Sequence, residues 1–83
     1  MRIDLTPQAI QVLRHSDESG AELRRRIEDL NRNPRPPDAL PIDDPVEMYE
    51  FFVKVGSSGV WVICQRYQDR GETVIRVTAI EQN

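Results

Sequence analysis

The chain has 83 residues, of which 39% are hydrophobic and 30% charged, the balance of an ordinary globular domain. It has no apolar run near the roughly 18 residues that cross a bilayer, no signal-peptide pattern and a single cysteine, so we expect no membrane association and a cytoplasmic location. Net charge is −3, and residues 38–83 carry four basic against eight acidic side chains, which gives no support to nucleic-acid binding.

The amino-terminal residues predict a short strand that runs into a helix. Residues 2–5 alternate between polar and apolar side chains, which suits a strand added to a larger sheet. Thr6 can cap the free amides of a helix, and Pro7 fits the first helical position without losing a needed hydrogen bond. Apolar residues then recur at helical spacing: Ala9, Ile10 and Leu13.

A second helix and a proline-rich segment follow. Residues 16–20 are polar and predict either a turn between two helices or a brief irregularity. Leu23, Ile27 and Leu30 then recur at helical spacing until Pro34 ends the helix. The economical arrangement is an antiparallel pair of helices. Five prolines between residues 34 and 45 exclude a regular helix or a central strand there. We expect this stiff segment to be fixed to the core through Leu40 and Ile42.

Residues 48–80 predict three consecutive antiparallel strands, at 49–55, 60–67 and 73–80. They hold most of the β-branched and aromatic residues of the chain, separated by Gly/Ser and Asp/Gly turns. We therefore predict an α+β fold and a single domain over residues 1–83. In it, the short first strand and the two-helix hairpin pack on one face of a small antiparallel sheet.

The alternation along these strands assigns their side chains to two faces, of which the helices can cover one. We expect the covered face to hold Tyr49, Phe51, Val53, Val60, Val62, Cys64, Ile75, Val77 and Ala79. The other face then holds Phe52, Trp61, Ile63, Val74 and Ile80. That is more apolar surface than a solitary domain exposes, so we predict that these five residues bind a partner.

The sequence offers no recognisable set of ligands for a metal or a cofactor, and we expect neither. The single histidine, His15, falls at the end of the first helix, where a positive charge suits the carbonyl end. The single cysteine, Cys64, lies among Val and Ile, and we interpret it as a small buried apolar residue.

Four features follow one another in a distinctive order over nearly the whole chain. Residues 3–9 lead from a strand into a Thr-Pro helix start, and residues 27–34 close the second helix. A loop with Leu40 follows, and a meander enters through Tyr49 and turns at residues 56–59. This arrangement resembles the RelE/ParE superfamily of bacterial toxins. The resemblance implies a toxin of a type II toxin–antitoxin system that inhibits growth by acting on DNA gyrase or on the translating ribosome and its mRNA. A cognate antitoxin would neutralise it.

For the ribonuclease branch of that superfamily, the resemblance implies metal-free attack of a ribose 2′-hydroxyl on the adjacent phosphate, which needs cationic groups. Lys54 matches a basic position of those members, whereas a second basic position is occupied by Trp61 and the usual terminal residues are missing. Arg66 and Arg76 complete the candidate catalytic set. These departures favour a gyrase-directed or non-cleaving member.

A hypothesis from another class remains open. The chain would then be a catalytically inactive interaction module that keeps the fold and uses its open sheet face for dimerisation or partner binding. Growth arrest on expression, relieved by the adjacent encoded small protein, would favour a toxin. Healthy cells and a stable homodimer would favour the module.

Overall fold

The computed structural model describes residues 1–16, 20–43 and 47–82. Within these ranges the chain forms two helices and a five-stranded sheet, which confirms the predicted α+β fold. The elements, in chain order, are β1 (Arg2–Leu5), α1 (Pro7–Arg14), α2 (Ala21–Glu28), β2 (Leu40–Asp43), β3 (Met48–Val55), β4 (Ser58–Asp69) and β5 (Glu72–Gln82). A 3-10 turn, Asp29–Asn31, continues α2. The middle of the turn predicted at residues 16–20 lies outside the described residues.

The strand order in the sheet is β1-β5-β4-β3-β2. The three strands β3, β4 and β5 form the predicted antiparallel meander, and β1 is added to it as predicted. Because β1 lies parallel to β5, the sheet is mixed and not purely antiparallel. The short strand β2 comes from the proline-rich segment and pairs with β3 at the opposite edge, where proline is tolerated.

Side-chain hydrogen bonds fix α1 at both of its ends. The hydroxyl of Thr6 accepts from the amide of Ala9, as an N-cap does, and donates to the carbonyl oxygen of Thr78 at 2.8 Å. At the other end, the guanidinium of Arg24 in α2 donates to the carbonyl oxygen of Leu13 at 2.7 Å. The cation therefore adds a second partner to a carbonyl at the end of the helix, which also accepts from the amide of Ser16 at 3.3 Å.

The core lies between the two helices and one face of the sheet. Four helix-side residues pack in it: Ala9, Leu23, Ile27 and Leu30. Eight of the nine side chains predicted for the covered face belong to the same cluster: Tyr49, Phe51, Val53, Val60, Val62, Cys64, Ile75 and Val77. The alternation of the strands thus predicted the covered face correctly up to Val77.

A β-bulge near the end of β5 interrupts this alternation. Ile63 on β4 pairs with Ala79, whereas its neighbour Cys64 pairs with Val77, so Thr78 is an extra residue on β5. The hydroxyl of Thr78 donates to the carbonyl oxygen of Ile63 at 3.1 Å. An extra residue reverses which side chains point to each face beyond it.

The bulge makes two face assignments wrong. Ile80, predicted for the partner-binding face, is 2% exposed and belongs to the core beneath the helices. Ala79, predicted for the core, pairs with Ile63 on the other face. A uniform period of two cannot anticipate a local insertion, which is why both assignments failed.

The proline-rich segment is held differently from the prediction. Leu40 and Ile42 are 52% and 47% exposed, so they do not fix the segment to the core. Instead, the hydroxyl of Tyr49 donates to the carbonyl oxygen of Pro34, and the guanidinium of Arg35 lies 5.4 Å from the centre of the Tyr49 ring. A buried aromatic residue of β3 therefore holds the start of the segment.

Candidate protein-binding face

The two described helices pack on one side of the sheet, and we call the opposite side the open face. The strand register places a group of apolar side chains on one half of this face. This half is formed by β2, β3, the first part of β4 and the end of β5. We call this group, together with the carboxylate that it surrounds, the open patch. It consists of Leu40, Met48, Glu50, Phe52, Trp61, Ile63 and Ala79.

An aromatic pair forms one end of the open patch. Phe52 and Trp61 are cross-strand neighbours, with ring centroids 5.2 Å apart and planes inclined by 65°, an edge-to-face arrangement. The Phe52 ring covers Gly59, where an added Cβ would lie 2.1 Å from the ring. Both aromatic residues remain partly exposed. Because Gly59 has no side chain, the Phe52 ring can pack directly against the backbone of β4.

Glu50 lies at the centre of the open patch. Its cross-strand neighbours are Leu40 on β2 and Ile63 on β4, and Met48 and Phe52 flank it on its own strand. Within the described residues, its carboxylate forms no ion pair and accepts no hydrogen bond from a side chain. The alternation along β3 puts Glu50 on the same face as Phe52, but it does not reveal the surroundings of Glu50, because the pairing of β2 has no clear sequence signal.

The other half of the open face is polar and internally paired. Arg2 forms ion pairs with Asp4 at 3.0 Å and with Asp69 at 3.1 Å, and these hydrogen bonds raise the pKa of its guanidinium. Arg76 donates to the hydroxyl of Tyr67 at 2.8 Å, with its guanidinium 5.0 Å from the ring centre. In this half of the face, the charges of Arg2 and Arg76 are thus already engaged by ion pairs or hydrogen bonds within the chain.

Val74 lies beneath this polar half. It pairs with Arg2 on one side and Tyr67 on the other, and it is fully buried. Long side chains can cover an apolar neighbour in this way while their polar ends stay in water. Of the five residues predicted to bind a partner, Phe52, Trp61 and Ile63 therefore lie together and partly exposed, whereas Val74 and Ile80 are buried.

The structure does not bring the three candidate catalytic residues together. Lys54 pairs with Gly59 and Arg76 with Gln65, so their partners on β4 are six positions apart. At ~3.3 Å per residue this is about 20 Å. Arg66 pairs with Ile75, which places it on the helix side of the sheet, where its guanidinium lies 3.7 Å from the carboxylate of Glu47.

Two buried groups of the core have altered acidity. Burial raises the pKa of the Cys64 thiol to about 12 and, as the largest influence, that of the Tyr49 hydroxyl also to about 12. Cys64 therefore stays protonated and fully buried, in agreement with its interpretation as an apolar core residue.

A cleft of 630 Å³ opens on the helix side, between α1 and the β3–β4 hairpin. Its lining combines amide, hydroxyl and aliphatic groups with one imidazole: Gln8, Gln11, Val12, His15, Ser16, Leu23, Val55, Ser58, Gly59, Val60 and Gln82. Within the described residues, there is no group of three or more side chains suited to hold a metal ion.

No protein-family model matches the chain, and no significant match was found among curated proteins or solved structures. The resemblance to the RelE/ParE superfamily thus stays a prediction from the order of the sequence features. In the described part of the chain, neither helix combines the length and apolar character that crossing a membrane requires.

Proposed function

We propose that this chain is a RelE/ParE-like toxin of a type II toxin–antitoxin system. It inhibits growth by binding gyrase or the translating ribosome, and an antitoxin neutralises it by covering the open patch. The observation that carries the proposal is the uncovered aromatic pair, Phe52 and Trp61, on the side of the sheet that the described helices leave free. Aromatic residues in such a position are typical of binding hot spots.

The order of the elements also supports the proposal. A short strand, two helices and an antiparallel meander follow one another, as the resemblance to the superfamily implies. The added strand β2 lies at the edge of the sheet and leaves this order intact. Fold agreement alone does not select a target, so the choice between gyrase and the ribosome depends on the side chains.

The positions of the cations favour binding over cleavage. Phosphoryl chemistry needs positive groups that converge on one phosphate. Lys54 and Arg76 lie at distant points of the open face, and Arg66 lies on the other side of the sheet. We therefore propose inhibition through protein binding, with gyrase as the favoured target.

The same separation of cations favours a second candidate, an inactive interaction module. It would use the open patch to bind another protein without any effect on growth. Expression of the chain in a bacterial host distinguishes the two candidates. We expect growth arrest with the chain alone and normal growth when the small protein encoded beside it is co-expressed.

Two matched variants test the role of the open patch. Trp61→Ala should prevent co-purification of the small protein, whereas Tyr67→Ala should not, because Tyr67 lies on the same strand and face but in the polar half. Unimpaired growth on expression would contradict the toxin proposal and favour the module. Equal loss of binding in both variants would mean that the open patch is not the contact surface.

A further inference from the structure

Glu50 identifies the kind of partner that fits the open patch. Its four nearest neighbours on the open face are apolar: Leu40, Met48, Phe52 and Ile63. A carboxylate in these surroundings remains hydrated as long as the patch faces water. Any partner that covers the patch removes that water, and an unpaired buried carboxylate is strongly unfavourable. The partner must therefore bring a donor, best a cation, to this position.

The charges around the patch agree with a cationic partner. Glu81 pairs with Trp61 and adds a second carboxylate beside the aromatic pair, whereas Lys54 lies at the hairpin end. Glu50 is therefore flanked across the patch by another acid. Along its own strand the first cation is Lys54, four residues or about 13 Å away at ~3.3 Å per residue, and Arg76, in the polar half of the open face, already donates to the hydroxyl of Tyr67. A basic side chain from outside would meet complementary charge here.

The size of the patch favours a single segment over a second copy of the chain. It spans four strands, or about 14 Å at ~4.8 Å per strand spacing, and about 13 Å along β3. This footprint is a fraction of the ~800 Å² that each partner of a stable dimer usually buries. It is wide enough for one helix, whose diameter with side chains is about 10 Å, or for one extended segment.

We propose that the open patch binds an amphipathic segment of a partner protein that places a lysine or arginine on Glu50 between apolar side chains. This inference rests on the proposed function, in which the patch is a contact surface, and adds the chemistry of the occupant. The apolar side chains of the segment contact Leu40, Ile63 and the aromatic pair. The cation replaces the water around the carboxylate.

A binding experiment with the full chain tests this pairing. Trp61 is the only tryptophan of the chain, so its fluorescence reports on the patch directly. The probes are a synthetic helical peptide of Leu and Lys with all Leu on one face, and a peptide in which Glu replaces every Lys. We expect the Leu/Lys peptide to bind with a blue shift of the Trp61 emission, and the Leu/Glu peptide to bind at least about tenfold more weakly.

Matched variants separate the pairing from general attraction between a basic peptide and an acidic chain. Glu50→Gln should weaken binding of the Leu/Lys peptide by roughly 5- to 10-fold, since it removes the charge of a pair that the partner desolvates. Glu28→Gln changes the net charge equally on the exposed side of α2 and should leave the affinity unchanged. Leu40→Thr, at a 52% exposed position, should also weaken binding.

The possible results distinguish this inference from the proposed function. Equal affinities of Glu50→Gln and Glu28→Gln, or equal binding of the two peptides, would overturn the inference. If Leu40→Thr still weakened binding in that case, the patch would remain a contact surface. If Leu40→Thr had no effect either, both proposals would fail. A stable dimer of the free chain that Trp61→Ala dissociates would overturn the inference in favour of a second copy.

Discussion

The side chain of Gln8 makes both main-chain hydrogen bonds with Ile80 that a neighbouring strand would make. Its amide oxygen accepts from the Ile80 N–H at 2.9 Å, and its amide nitrogen donates to the Ile80 carbonyl oxygen at 2.9 Å. Strand β1 has already ended at Leu5, opposite Val77. The first turn of α1 thus continues the edge of the sheet after the strand itself has stopped.

Gln8→Ala should lower the free energy of unfolding by about 1–2 kcal/mol, because it leaves the donor and the acceptor of Ile80 without their partner. Urea denaturation measures the change. Gln11→Ala, an exposed position of the same helix, is the control and should stay within about 0.5 kcal/mol of the wild type. Equal stabilities of the two variants would show that water replaces the Gln8 amide without loss.

Arg70→Asn should stabilise the protein. Arg70 has a φ of 54° and Gly71 a φ of 81°, so the β4–β5 hairpin requires left-handed backbone at two successive residues. Asparagine adopts this conformation more readily than arginine, and we expect a gain of about 0.5–1 kcal/mol in thermal or urea unfolding. Arg32→Asn, where φ is −94°, should bring no such gain. An unchanged stability of Arg70→Asn would argue against strain at this turn.

The stability of the protein should fall as the pH rises from about 9 towards 12. The folded state raises the pKa of Cys64 from 9.0 to about 12, so in this range the unfolded chain loses the thiol proton and the folded chain keeps it. Deprotonation therefore favours unfolding. Burial similarly raises the pKa of Tyr49 from 10.0 to about 12.

Cys64→Ala tests this pH dependence. It should lower stability at pH 7 through loss of core packing but make the decline between pH 9 and pH 12 less steep. Urea unfolding at several pH values gives both quantities. In the wild type, thiol reagents should react only with molecules in which opening or unfolding has exposed Cys64. A slope identical to that of the wild type would show that Cys64 does not contribute to it.

Gly59→Ala should displace the ring of Phe52, since the new methyl group would lie 2.1 Å from it. We expect a loss of about 1–3 kcal/mol and a changed Trp61 emission spectrum, because Phe52 packs edge-to-face with Trp61. The same substitution in a Phe52→Ala background should cost clearly less, as the clash is then absent. Ser57→Ala in the same hairpin is the control. An equal loss of stability in both backgrounds would show that the backbone at Gly59, and not the clash with the Phe52 ring, causes the loss.

Single alanine substitutions at Lys54, Arg66 and Arg76 should leave any growth inhibition intact, because the three cations do not converge on one site. Growth curves after induced expression of the wild type and of each variant measure the effect. Loss of toxicity in both Lys54→Ala and Arg76→Ala, with folding preserved by circular dichroism, would instead support catalysis or RNA contact at the open face.

The sequence predicted the meander well because its signals are local. The turns after Val55 and after Asp69 contain glycines with positive φ, Gly56 and Gly71, and the strands between them alternate regularly. Two features that shape the open face have no such signal. The bulge at Thr78 depends on a pairing across the sheet, and β2 was hidden in a proline-rich segment whose exposed Leu40 resembled a core residue.

The candidate site was accordingly predicted in part. Phe52, Trp61 and Ile63 were placed together by alternation within single strands. Val74 was placed on the correct side, but its burial depends on Arg2, which lies far away in the chain and covers it only through the β1–β5 pairing. Contacts between distant residues are not visible in a local pattern.

The extra residue at Thr78 makes the carboxyl-terminal end of β5 tolerant of a shorter chain. Deletion of Thr78 would leave Val77 opposite Cys64 and Ala79 opposite Ile63, so Ala79 and Ile80 would keep their faces and only the interruption of the pairing would disappear. Straight pairing with Thr78 still present would instead turn the following side chains over, with Ala79 beneath the helices and Ile80 towards water. In the full-length strand the bulge is thus what brings Ile80 into the core, where the amide of Gln8 meets its main chain.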